Sequence, residues 1–275
     1  MKKEEEIKKK RKLKWQVKLV LYLIFFILYC FFIGTKGIYI KEFKIETNKI
    51  TSQENGLKIL HFSDLHYGSS VNYNDLKKLV KKINLTKADI IIFTGDLIDK
   101  DYKLNKEEKD IIIKELTKMN ASLGKYYITG EEDTKKTEEI LNSANFINTN
   151  SSEQIIHLSN NSPLLILGKN SAKKYFENNE LVPDFKILTI HNPDDIDKLK
   201  DYNFDIALSG HTHNGQVNIP KIKNMLISSK YKKNYQKVKN TKLYVNPGIG
   251  TKKINIRLFN HPTIYLYRIN KTSNK

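Results

Sequence analysis

Four of the seven histidines and two Gly- or Ser-flanked aspartates lie in short segments that each follow an apolar run. With their neighbours, five segments carry the chemistry: Ser63-Asp64-Leu65-His66, Gly95-Asp96-Leu97-Ile98-Asp99, Gly130-Glu131-Glu132-Asp133, His191-Asn192-Pro193 and Gly210-His211-Thr212-His213. Asp64 and His66 are two residues apart at a strand end, a spacing that sends both side chains the same way. His211 and His213 repeat it after Gly210, whose missing side chain lets the backbone turn. Imidazole mixed with carboxylate suits Zn²⁺, Mn²⁺ or Fe rather than Ca²⁺, which takes an all-oxygen shell. Two such clusters joined by a shared carboxylate are what a two-metal centre needs, with the ions ~3.5–4 Å apart.

These segments must be brought together by the elements around them. Lys58 to Phe62 reads as a strand, and Leu76, Leu79, Val80 and Ile83 then form the apolar stripe of a helix capped near Asn74. Asp89 to Phe93 is apolar without alternation, as in a strand covered on both faces. A second helix carries Ile112, Leu116, Met119 and Leu123 on one side, and further strands are expected near 126–128, 164–167, 187–190 and 204–208. From Lys242 to Ile269 the chain has β-like runs, KLYV, INIRLF and TIYLYRI, and no helical pattern. Alternating units followed by a β-rich end predict a layered α/β domain. Loops at the C-terminal ends of its parallel strands would share one edge, where ligands bind.

Residues Leu19 to Gly34 hold no charged side chain, and Trp15, Val17 and a snorkelling Lys18 lengthen that run towards the ~20 residues of a membrane span. No small-x-small cleavage site follows, so an uncleaved signal anchor is expected rather than a cleaved signal peptide or a buried helix. Nine Lys or Arg precede the run, against Lys36, Lys41, Lys44 and Lys49 after it. The positive-inside rule keeps the N-terminus in the cytoplasm, with the rest of a single-pass protein of the cell membrane outside. The expected organisation is a basic leader at 1–18, the transmembrane anchor at 19–36 and a linker with an edge strand at 37–56. The main domain follows at 57–269, with a tail at 270–275.

The formal charge of +18 raises the question of an acidic partner. The leader accounts for +6 of it, since 9 basic residues and 3 Glu lie in the first 18 positions. The remainder is spread without an Arg cluster, which argues against nucleic acid as partner. Cys30 is the one cysteine, so no intrachain disulfide forms, and in its apolar run it serves as a small hydrophobe.

In their order along the chain, DLH, GDLID, a Gly-led third loop, a lone strand-end His and GHTH resemble the signature of the calcineurin-like metallophosphoesterases, over about residues 57 to 269. GHTHNGQ, Gly210 to Gln216, and the later NPGIGT are similar to a bacterial, membrane-associated branch that includes hydrolases of UDP-diacylglucosamine. The resemblance implies two sheets in a sandwich flanked by helices, and metal-dependent hydrolysis of phosphate esters. It implies that Asp64, His66 and His213 hold one divalent ion, that His191 and His211 hold the other, and that Asp96 bridges both. Asp99 matches a position that supports its loop. His61 is expected in the core or behind the ligands, and His157 and His261 at the surface.

The third motif departs from the family's Gly-Asn-His, reading Gly130-Glu131-Glu132. Glu131 can still ligate a metal, although it adds negative charge where a phosphate must land. Glu132 is a poor substitute for a protonated histidine, because a carboxyl beside dications loses its proton. Asp96, Glu132 and His211 are the residues expected at the reaction. The leading expectation is a hydrolase of a lipid-linked or envelope phosphate ester that favours good leaving groups. A metal-containing binding protein without turnover is the first alternative. A nuclease-type phosphodiesterase is the second, opposed by the anchor and the missing Arg cluster.

Overall fold

The computed structural model describes residues 2–158, 163–179, 183–252 and 254–272. The charged leader and the apolar run form one helix, α1 (Lys2–Leu28), which continues into a π turn at Tyr29–Ile33. From residue 3 to 33 it is long and apolar enough to cross a membrane, and only 6% of its most apolar stretch is buried, so it is not a core helix. Its far end does touch the rest of the chain. Cys30 is buried, its carbonyl accepts from the Arg257 N–H at 3.1 Å, and a Cβ on Gly34 would fall 2.0 Å from the Arg257 carbonyl.

Next come β1 (Tyr39–Thr47), β2 (Leu57–Phe62), α2 (Tyr73–Leu85), β3 (Ile90–Phe93), α3 (Lys106–Thr117), β4 (Lys125–Tyr127), α4 (Lys135–Ser143) and β5 (Phe146–Asn148). The second half holds β6 (Gln154–His157), β7 (Pro163–Gly168), α5 (Lys169–Asn178), β8 (Phe185–Thr189), β9 (Ile206–Ser209), α6 (Pro220–Leu226), β10 (Tyr235–Val238), β11 (Thr241–Val245) and β12 (Thr263–Lys271). One sheet has the order β1-β12-β2-β3-β4-β5 and the other β10-β11-β9-β8-β7-β6. β2 to β5 run parallel, as do β7, β8, β9 and β11.

The two sheets face each other across Ile59, Ile90, Ile92, Ile187, Leu208 and Tyr267. The alternate residues of the same strands, Leu60, Ile91 and Phe93, meet the apolar stripes of α2 and α3 on the outside. Leu165, Leu167 and Leu188 do the same beneath α5. A strand covered on both faces has no polar side to display, hence the unbroken IIIF of β3.

Three local expectations are corrected. The cap of α2 is Asn72, whose side chain accepts from Asp75 N at 3.1 Å, while Asn74 lies inside the first turn. Helix α3 stops at Thr117, before Met119 and Leu123. Beyond its end the Asn84 side chain donates to Lys118 O at 2.8 Å and accepts from Asn120 N at 3.0 Å, giving the freed backbone groups partners. The INIRLF run forms no strand, apart from a bridge between Leu258 and Val217. Its Arg257 is fully buried instead and donates to the carbonyls of Pro247, Gly248, Gly250 and Asn260 at 2.6–3.1 Å, so the segment wraps a guanidinium.

Lys125 is a buried cation in β4. Its ammonium donates to Ala144 O at 2.7 Å and Leu116 O at 3.2 Å, and burial lowers its pKa to about 8. Above that value the folded chain has shed a proton that the unfolded chain keeps up to its ordinary pKa of 10.5. Stability contributed by this group therefore rises with pH across that window. Denaturant unfolding near pH 8 and near pH 10 should show this rise in the native chain relative to Lys125→Met. Parallel pH dependence in both proteins would refute the assignment.

Candidate metal centre

All five segments emerge from the C-terminal ends of parallel strands: 63–66 after β2, 94–99 after β3, 129–133 beyond β4, 191–192 after β8 and 210–213 after β9. They converge on one edge of the sandwich, but not by the extended geometry expected for Asp64 and His66. Asp64 (φ 49°), His66 (46°), Asp96 (60°), His211 (68°) and His213 (47°) are all left-handed. Such a conformation costs non-glycine residues ~1–3 kcal/mol each and persists only where surroundings impose it. Here the loops hold one another: Asp64 N donates to Gly95 O at 2.9 Å, Leu65 N to Asp96 O at 2.8 Å and Gly250 N to Asp64 O at 2.7 Å. Two glycines are small because carboxylates occupy the space beside them. A Cβ at Gly130 would sit 2.1 Å from Asp96 Oδ1, and one at Gly210 2.5 Å from Asp64 Oδ2.

Side-chain donors gather in three groups, each with ligand atoms within 4.8 Å of one another: Asp64, His66 and His213; Asp64, Asp96 and His191; His66, Asp99 and Glu132. The Nε2 atoms of His66 and His213 lie 3.1 Å apart, and His213 Nε2 is 3.5 Å from Asp64 Oδ1. Asp96 Oδ2 faces both sides, 3.2 Å from His191 Nε2 and 3.9 Å from His66 Nε2. The rings are fixed from behind. His191 Nδ1 pairs with Thr94 O at 2.7 Å and His213 Nδ1 with Gly250 O at 3.2 Å, which turns each Nε2 inward as in metal-ligating histidines. The carboxylates are held likewise, Asp64 by the His211 N–H at 3.0 Å and Asp96 Oδ1 by the Glu132 N–H at 2.9 Å.

His211 and Glu131 stand outside these groups. The His211 ring packs edge-on against His191 at 5.2 Å, and its Nδ1 is 3.7 Å from the Oε1 of Glu131, whose side chain is 57% exposed. Glu132 is the glutamate that turns inward. Its Oε2 lies 3.2 Å from His66 Nδ1 and its Oε1 2.8 Å from Lys252 Nζ. The close His66 imidazole, followed by the Lys252 ammonium, holds its carboxyl down at about 2, so it carries no proton to give near neutral pH. Asp99 Oδ2 reaches 4.0 Å from His66 Nδ1. Behind the site His61 is buried, with Nε2 at 2.9 Å from Thr94 Oγ1 and Nδ1 at 3.3 Å from the Tyr267 hydroxyl; burial lowers its pKa to about 3. His157 is exposed, and His261 is half-buried with its ring 4.6 Å from Tyr39.

Two contributors were not singled out from sequence. The Asp133 carboxylate accepts from Asp96 N, Leu97 N and Gly130 N at 2.7–2.9 Å and so ties the second loop to the third. Its signal was the acidic residue that closes the third motif. Lys252 had none, being one of 48 basic residues and distant in sequence from Glu132.

The donor set fits divalent ions. Burial lowers the His213 pKa to about 4, so its lone pair is free to ligate. Burial acts the same way on His66 and His191, but neighbouring carboxylates outweigh it and raise both, while His191 lowers Asp96. Two buried nitrogens, His66 Nδ1 and His191 Nε2, lie near carboxylate oxygens without the alignment of a hydrogen bond. Buried imidazoles aimed at a common space and carboxylates fixed from behind are the arrangement a metal ion completes.

Fold and site together define a metal-dependent hydrolase built on an α/β sandwich. Residues 57–215 match the calcineurin-like phosphoesterase family model, and the chain belongs to that family as a phosphoester hydrolase. It is 30% identical over 247 residues to YkuE of Bacillus subtilis, an uncharacterized metallophosphoesterase, covering 84% of this chain and 85% of that one. A second Bacillus subtilis metallophosphoesterase, YkoQ, is 26% identical over 86% of this chain and 92% of its own length. The UDP-2,3-diacylglucosamine pyrophosphatase LpxG of Chlamydia muridarum is 27% identical, over 78% of this chain and 83% of that protein.

Proposed function

We propose that this phosphoesterase is anchored in the cell membrane by α1, works with two divalent ions of the Mn, Zn or Fe kind, and acts on a lipid-linked phosphate ester outside the cytoplasm. The observation that carries it is the pair of donor groups that meet at Asp64 and Asp96, in a chain whose α1 is apolar enough to span a bilayer. Asp64, His66 and His213 would hold one ion, and Asp96, His191 and His211 the other. Bound there, divalent ions supply Lewis-acid stabilisation of phosphoryl oxygens and lower the pKa of water.

The chain's own groups do the rest. Ionised Glu132 holds the Lys252 ammonium at the mouth of the site, where a cation can pair with a phosphoryl oxygen or leaving group. Glu131 adds an anion beside His211, which disfavours dianionic monoesters relative to monoanionic diesters. With a carboxylate in place of the family's histidine, aryl diesters should outpace alkyl ones. The similarity to LpxG supports a lipid-linked substrate. Sugar nucleotides are cytoplasmic, so a domain outside would act on another lipid phosphate.

Full-length protein in detergent should hold about two divalent ions per chain and hydrolyse an aryl phosphodiester faster than an alkyl one. Equal rates would remove the leaving-group argument. Metal content without turnover on any ester would favour a binding protein, the reading to which the Glu131-Glu132 replacement lends support.

A further inference from the structure

A groove of about 580 Å³ opens directly from the metal centre. Glu131, His211, His213 and Lys252 form one end of it, and Val217, Leu226, Ile254 and Ile256 line much of the remainder, with Gln216, Ser228 and Ser229 among them. The apolar side chains at the far end are presented to solvent, Leu226 at 56% and Ile254 at 58% exposed, with Met225 at 85% beside them on α6. Isolated exposed apolar residues need no explanation, but a contiguous strip leading out of an active site does.

The groove wall is also tied to the apolar helix. Gln216 donates through Nε2 to Ile254 O at 3.0 Å and Ile256 O at 3.1 Å, and its carbonyl accepts from Leu258 N at 3.0 Å. Arg257, between Ile256 and Leu258, donates its N–H to Cys30 O in the final turn of that helix. A bilayer that holds the exposed residues 19–28 would therefore end near the apolar end of the groove. Lys221 and Lys223 flank Ile222 on α6, the mixture of basic and apolar side chains suited to an anionic interface.

We infer that the groove is the acyl-chain subsite of this enzyme: the hydrocarbon tail of a lipid phosphate ester lies along Leu226, Ile254 and Ile256 while its phosphate is held at the His211–Lys252 end. The inference rests on the phosphoesterase reading above and names the part of the substrate that makes it lipid-linked. Transfer of each methylene from water into such a groove is worth about a fourfold gain in binding.

Full-length protein would be assayed with p-nitrophenyl alkyl phosphodiesters of increasing chain length, in which the leaving group stays constant. Native protein should gain about tenfold or more in kcat/KM from the butyl to the dodecyl ester, mainly through KM. In Ile254→Asp the dodecyl-to-butyl ratio should fall to near one. A flat series in native protein, or an unchanged ratio in the variant, would overturn the subsite. If no ester is turned over, calorimetry with dodecyl phosphate against inorganic phosphate still decides. Chain-dependent binding lost in Ile254→Asp would keep the groove and reject the hydrolase, whereas equal binding of both anions would reject the groove.

Discussion

Asp96→Asn should lower turnover about a thousandfold and reduce the bound metal, with little change in unfolding temperature. One oxygen of this carboxylate faces histidines on both sides, Oδ2 lying 3.2 Å from His191 and 3.9 Å from His66. Asparagine keeps an oxygen to accept from the Glu132 N–H, and the Asp96 backbone amide still donates to Asp133, so the loops stay joined. What disappears is the negative charge between two imidazoles. Lewis-acid assistance is worth several kcal/mol, and ~4 kcal/mol corresponds to about three powers of ten in rate. Metal content by mass spectrometry, turnover on an aryl diester and thermal unfolding would be measured together. Full metal content with near-native turnover would exclude Asp96 from the centre.

Lys252→Gln should cost about a hundredfold in kcat/KM, with Lys252→Arg retaining most of the activity. The reason lies in the third motif. Glu132 occupies the place of the family's histidine but is ionised, held by His66 Nδ1 and by Lys252 itself. Lys252 is thus the side-chain cation that the structure brings to the mouth of the groove beside His211 and His213. Its backbone amide donates to Gln216 Oε1 at 2.9 Å, a bond the substitution leaves in place. Competitive inhibition by inorganic phosphate separates charge from structure: it should weaken in Lys252→Gln and recover in Lys252→Arg. Unchanged phosphate inhibition would mean that Lys252 merely braces Glu132.

The sequence disclosed the strands that feed the site better than the shape of the site. β2, β3, β8 and β9 were legible because burial on both faces leaves unbroken apolar runs. β5, β6 and β10, three or four residues long at or near sheet edges, carry too few apolar positions to register. The segment at 254–259 was misread because an apolar run written around Arg257 resembles a strand until the guanidinium finds its carbonyls. The five ligand-bearing motifs were visible as local patterns. Their left-handed backbone was not, since no local pattern marks it and the bonds that hold it come from other loops. The pairing of Glu132 with Lys252 depends on a distant contact that no local spacing encodes.

The placing of β12 between β1 and β2 bears on how the protein is made. Glu42 and Arg268 pair diagonally across the β1–β12 ladder, the guanidinium donating at 2.7 Å, although 226 residues separate them. While the intervening chain is being synthesised, β1 and β2 have no strand between them, and both present unpaired N–H and C=O groups. The apolar helix α1 and β1 are both synthesised long before β12, so β1 waits for its partner. Closing so long a loop adds only modestly to the entropy cost, but pairing over that distance is slow. The vacant slot is a place where a strand from another chain can insert, and chaperone supply during translation should govern the yield of folded protein more than any residue of the metal centre.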